Sequence, residues 1–169
     1  MKKPIRRTNN TILVAVEGYT EEAFLRHLKS LFCGRDSLVS LTIKNAKGKG
    51  PEGIVEAIKA AKRTGEYNLV GAVFDGDLPI SPEADKWLKT HKVYRFISTP
   101  SIEATLLSAR SIKPGRTTKE CKDLLSSALR GDSTEESFYA KHFPDQVIDR
   151  GRMGASCLND LIIFISRKS

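Results

Sequence analysis

The sequence predicts an α/β fold: a mostly parallel four-stranded sheet with helices on both faces, followed by a helical C-terminal region. Apolar, β-rich runs stand at Thr11–Val16, Leu38–Ile43, Leu69–Phe74 and Lys92–Ser98, each short enough for a buried strand. A helical pattern follows every one of them, giving the order β-α-β-α-β-α-β-α expected of a parallel sheet. Beyond Arg110 no convincing strand appears.

After the first run, Phe24, Leu28, Leu31 and Phe32 recur at helical spacing, predicting a helix from about Glu21 to Cys33. Gly34 stops it, as glycine does just past a helix end. The second strand, Leu38–Ile43, leads into a loop at Lys44–Gly50, and Pro51 suits the first turn of a second helix. Ile54, Ala57, Ile58 and Ala61 mark its buried face, and Gly65 closes it before the third strand. Ser81-Pro82-Glu83 combines a capping serine with proline, opening a third helix that runs to about His91. In the fourth strand, Val93 and Ile97 are expected to turn inward or to be buried with Phe96. Pro100 breaks it, and Ile102–Ala109 is helical.

In the remainder, Thr117-Thr118-Lys119-Glu120 and Ser133-Thr134-Glu135-Glu136 both match the capping-box pattern. The first opens an amphipathic helix through Cys121, Leu124, Leu125 and Ala128. Leu158, Leu161, Ile162 and Ile165 fit helical spacing, so Cys157–Ile165 is read as a last helix. The expected division is an α/β core over 11–110 and a helical extension over 111–169 packed on it.

At 169 residues, with 40% hydrophobic and 28% charged content, the chain has the composition of one globular domain with a real core. No apolar stretch approaches the roughly 20 residues of a membrane-spanning helix, and the basic start lacks the apolar segment of a signal peptide. A cytoplasmic location with no membrane partner is expected. Cys33, Cys121 and Cys157 are odd in number and far apart, which fits neither a disulfide framework nor zinc spacing. They read as reduced, mostly buried thiols, and His27, His91 and His142 as surface or packing residues. The formal charge of +8 favours polyanions. Basic residues gather at Lys2–Arg7, at Lys44, Lys47 and Lys49, and from Arg110 through Lys113, Arg116, Lys119 and Lys122.

Against that basic background, acidic groups stand where parallel strands end. In open α/β sheets, ligands bind beyond the carboxyl ends of the strands. Asp75 and Asp77 follow the third strand and, two apart in extended chain, would point the same way. Gly76 between them lets a ligand come close; an ordinary Asp-Gly turn is the competing reading. Glu17, directly after a buried strand, is costly unless solvated or paired with a cation. Glu21 lies one helical turn on, where negative charge also suits a helix start. Glu103, just past the fourth strand, is a fifth carboxylate on the same edge. Hard oxygen donors of this kind suit Mg²⁺ or Mn²⁺. Lys44, Lys47 and Lys49, in and beside a glycine-containing loop past the second strand, are candidates to hold phosphate.

The Glu17-Gly18-x-Thr20-Glu21 turn, the Asp75-x-Asp77 pair and the β-α-β-α-β order between them resemble the Toprim domain of topoisomerases, primases and small nucleases. Together with Ser98–Glu103, the chain is most similar to the RloB-like and OLD-type nucleases of bacterial defence and mobile elements, over roughly Thr11–Ala109. The resemblance implies Glu17, Asp75 and Asp77 as the catalytic, metal-binding core, with Glu21 and Glu103 as further ligands. It also implies proton transfer by the first glutamate, and a Mg²⁺- or Mn²⁺-dependent nuclease acting on DNA or RNA. Larger relatives carry an ATPase partner domain, a zinc module or a nucleophilic tyrosine, none of which is evident here; Tyr19 reads equally as a packing residue.

Two rivals follow from the same residues. Phe74-Asp75-Gly76-Asp77-Leu78 resembles the nucleophile segment of haloacid-dehalogenase phosphatases, although those chains usually open with that strand. The other rival is a non-catalytic Toprim-like subunit that binds nucleic acid or regulates a protein partner. The sequence selects neither a target nor such a partner.

Overall fold

A computed structural model describes residues 10–34 and 36–167; the basic segment Lys2–Arg7 lies outside them. The chain runs β1 (Asn10–Val16), α1 (Tyr19–Phe32), β2 (Val39–Asn45), α2 (Gly50–Thr64), β3 (Leu69–Asp75), α3 (Pro82–Thr90), β4 (Tyr94–Ser98) and α4 (Ile102–Ala109). It continues with α5 (Thr118–Ala128), α6 (Glu136–His142), α7 (Asp145–Gly151) and α8 (Ser156–Ile165). This is the α/β class expected, with a four-stranded, wholly parallel sheet in the order β2-β1-β3-β4.

That order decides where a site can form. From β1 the chain crosses to one side of the sheet, and from β3 to the other. Right-handed crossovers then put α1 and α3 on opposite faces. The two buried clusters agree. Ile12, Val14 and Val16 face a core shared with α1, α4 and the C-terminal helices, whereas Leu13 and Ala15 face α2 and α3. The point where the strand order reverses lies between the carboxyl ends of β1 and β3, where open α/β sheets bind ligands.

In α1, Phe24, Leu25 and Leu28 are buried. Burying each such side chain fully contributes ~1.5–3 kcal/mol. On the same face, Leu125, Phe138, Ile148 and Leu161 carry α5 through α8 into one cluster with the sheet.

Local details depart from expectation. Ile97 is 48% exposed, because alternation turns it away from Phe96 on an edge strand; Val93 and Phe96 are buried. The strand starts only at Tyr94, since Lys92 adopts φ 52° and the Val93 N–H bonds to the Leu88 carbonyl. The Ser133–Glu136 box does not cap a helix. Asp132 instead accepts from the Thr134 N–H and hydroxyl at 2.8 and 2.7 Å, and α6 starts at Glu136. The short helix α7 has no counterpart in the sequence reading. Cys33, Cys121 and Cys157 are free thiols, of which only Cys121 is fully buried. His27 packs with its Nε2 at 2.7 Å from the Phe143 carbonyl. Among the described residues no helix is long and apolar enough to cross a membrane.

Candidate functional site

At the end of β1, Val16 is fully buried and Glu17 is the first side chain past the sheet. Gly18 caps α1 in extended conformation, and Glu21 in the first turn is only 6% exposed. A Cβ at Gly18 would stand 3.2 Å from a Glu21 carboxylate oxygen, so a larger residue there would press on that side chain. The Gly48 N–H donates to the Glu17 carbonyl at 2.8 Å, drawing the loop between β2 and α2 over the same strand end.

At the end of β3, Asp75 is still paired, opposite Ser98 of β4. Its Oδ1 accepts from the Ile102 N–H at 3.0 Å, so Asp75 holds the start of α4 against the sheet. The next two residues are tied down by Gly76 N–H to Ser98 O at 2.7 Å and Asp77 N–H to Pro100 O at 3.1 Å. A Cβ at Gly76 would lie 2.6 Å from Thr99 Oγ1, so only glycine lets the two loops touch. The chain therefore turns after Asp75 rather than running on as strand. Asp77 follows in that turn, outside the pocket lining: it is exposed and accepts from the Thr118 hydroxyl of α5, yet is near enough for its charge to raise Glu17.

Glu17, Glu21, Asp75 and Glu103 line one pocket of about 280 Å³. Glu103 is 5% exposed, and its Oε2 accepts from the buried Ser101 hydroxyl at 2.7 Å. Lys122 of α5 is the one cation among the described residues lining the pocket.

The charges are poorly compensated. Burial, then the Glu21, Glu103 and Glu17 charges, push Asp75 up to about 8. Burial, then Glu103 and Glu17, raise Glu21 to about 7 against the pull of nearby backbone N–H groups. Glu17 is raised as well, by burial and then by Asp77. Its Oε2 is buried with no hydrogen-bond partner, an arrangement that costs free energy unless something meets that oxygen. Among the described residues no three His, Cys, Asp or Glu side chains stand gathered as a ready metal-holding group. The carboxylates border a common space rather than a common point.

The structure thus brings four of the five predicted carboxylates to one pocket and leaves Asp77 at its rim. Lys47 and Lys49 are exposed in the loop whose Gly48 lines the pocket; Glu22 is held below the usual range by hydrogen bonds from Asn45 and Arg26, with Lys47 adding to them. Lys44 is the penultimate residue of β2, pointing to the opposite face from its neighbour Ile43. Lys122 and Thr118 are pocket and rim residues that sequence reasoning did not assign. The capping box at Thr117 signalled their helix; which face would meet the strand ends depends on how α5 packs against α4.

No protein-family model, curated protein sequence or solved structure matches this chain.

Proposed function

We propose that this chain is a divalent-metal-dependent nuclease that hydrolyses phosphodiester bonds in DNA or RNA in the cytoplasm. The reading rests on one observation: four carboxylates line a pocket at the switch point of the sheet, and a buried Glu17 oxygen there has no partner. Four carboxylates held together with a single lysine among the described lining residues fit a bound cation. The resemblance to Toprim nucleases supports the same reading and carries the expectation of a role in bacterial or phage defence.

The donor set suits Mg²⁺ or Mn²⁺, held by Glu17, Glu21, Asp75 and Glu103 with Asp77 alongside. A bound ion of this kind supplies a more acidic water and charge neutralisation at phosphate. The protein's own groups do the rest. Glu17, whose carboxyl is raised above the usual range by burial and then by Asp77, is suited to take the proton of the attacking water at its unpartnered Oε2. Lys122 places positive charge beside developing negative charge on the phosphate. Lys47 and Lys49 hold flanking phosphates, which makes affinity fall as salt rises.

The test is an assay of purified protein on plasmid, single-stranded DNA, total RNA and transfer RNA with Mg²⁺ or Mn²⁺. Cleavage lost in both Glu17→Gln and Asp75→Asn, each folded by circular dichroism, supports the proposal. Binding without metal-dependent cleavage of any substrate would instead identify a non-catalytic subunit.

A further inference from the structure

Beside the acidic pocket runs a second groove of about 460 Å³, between the start of α1 and the segment leading into α6. Tyr19 and Thr134 line both, so the two spaces adjoin. Tyr19 is 58% exposed at this junction, two residues from Glu17. A large aromatic ring left in water next to a charged pocket is not explained by packing.

The groove is preformed. The Tyr139 hydroxyl donates to the Ser133 carbonyl at 2.8 Å and approaches the Thr20 carbonyl at 3.2 Å. Those contacts pin the segment before α6 to the first turn of α1.

Its charge excludes one occupant and favours another. Glu22, Glu135 and Glu136 line it against a single guanidinium, Arg26. Arg26 is already engaged, at 2.7 Å from Glu22 and 4.0 Å from Glu136. Three carboxylates to one occupied cation repel phosphate. They suit an uncharged planar group bearing N–H donors, as carboxylates accept from the exocyclic amine of cytosine. Unpaired bases stack on exposed aromatics at single-strand sites.

Building on the nuclease reading, we infer that this groove is a nucleobase subsite. Tyr19 stacks an unpaired base next to the scissile phosphate, and Glu135 and Glu136 favour amino-bearing bases over thymine or uracil. The substrate is then single-stranded, or locally opened, at the point of cleavage.

Fluorescence anisotropy with DNA and RNA oligonucleotides in Ca²⁺ buffer tests this. Single strands rich in cytosine should bind more tightly than thymine or uracil strands and than duplexes of the same sequence. Tyr19→Ala should weaken single-strand binding ~5- to 100-fold, Tyr19→Phe should retain it, and neither should change duplex binding. Glu135→Gln with Glu136→Gln should narrow the gap between cytosine and thymine strands. Ultraviolet crosslinking of a strand carrying one 5-iodocytosine should map to Tyr19 by mass spectrometry. Single-strand binding unchanged in a folded Tyr19→Ala protein, or a crosslink mapping elsewhere, overturns the subsite and leaves the nuclease reading intact. Absence of binding to every oligonucleotide overturns both.

Discussion

Asp75 and Asp85 are the same residue ten positions apart, and the fold treats them in opposite ways. Asp85 on α3 has Arg95 at 2.6 Å on one oxygen and Lys89 at 2.6 Å on the other. Hydrogen bonds from Lys89 and then Arg95 hold it below the usual carboxylate range. Asp75 has one backbone N–H, three carboxylate neighbours and an affinity for protons raised to about 8. Asp85, which serves the fold, comes with two cations of its own. The group at the strand ends lacks sufficient positive charge of its own, which is why we assign it to a ligand rather than to stability.

The contrast is broken most severely if the two residues respond alike to neutralisation. Asp75→Asn should lower the proposed nuclease activity by ~10²-fold or more, whereas Asp85→Asn should leave it unchanged in the same plasmid and RNA assays.

Next in size is the response to pH. The carboxyls of Asp75 and Glu21 have ordinary values of 3.8 and 4.5 but reach about 8 and 7 in the fold. Between those limits the native state binds more protons than the unfolded chain, so stability falls as pH rises. Thermal melts of metal-free protein should therefore drop in midpoint from mildly acidic pH toward pH 8. Mn²⁺ should raise the midpoint more at the alkaline end, and Asp75→Asn should flatten the profile. A midpoint that rises across this window would contradict the assignment.

Gly76→Ala sharpens the comparison from the backbone side. Its Cβ would press on Thr99 Oγ1 at 2.6 Å and on the Ser98 carbonyl at 3.1 Å. Separating these loops should cost ~1–3 kcal/mol in urea unfolding and also reduce cleavage. The smallest effect belongs to Asp85→Asn. Its ion pairs are partly open to solvent, so its urea midpoint should lie close to wild type and approach it further in high salt.

Local chemistry made much of the framework legible. Ser81 caps α3 by accepting from the Ala84 N–H at 3.3 Å, as serine before proline implied. Ile102–Ala109 begins and ends where Pro100 and the apolar spacing placed it. The carboxylates could be placed at one edge because strand ends in a parallel sheet share an edge. What stayed hidden was set by distant parts of the chain. The chain turns after Asp75, leaving Asp77 outside the pocket lining, because Gly76 and Asp77 bond to the Ser98 and Pro100 carbonyls. Asp132 captures Thr134 and displaces the expected cap at Ser133. Lys122 reaches the pocket through packing of the C-terminal helices, and Tyr19 acquires a groove only when α6 docks on α1. None of these leaves a periodic or compositional trace.

Calorimetric titration of Mn²⁺ into the metal-free protein at pH 8 asks whether the strand-end carboxylates hold a cation. Wild type and Asp85→Asn should bind saturably, with binding weakened ~10-fold or more in Glu17→Gln and Asp75→Asn. Absence of saturable binding, or equal binding by all four proteins, would contradict such a site.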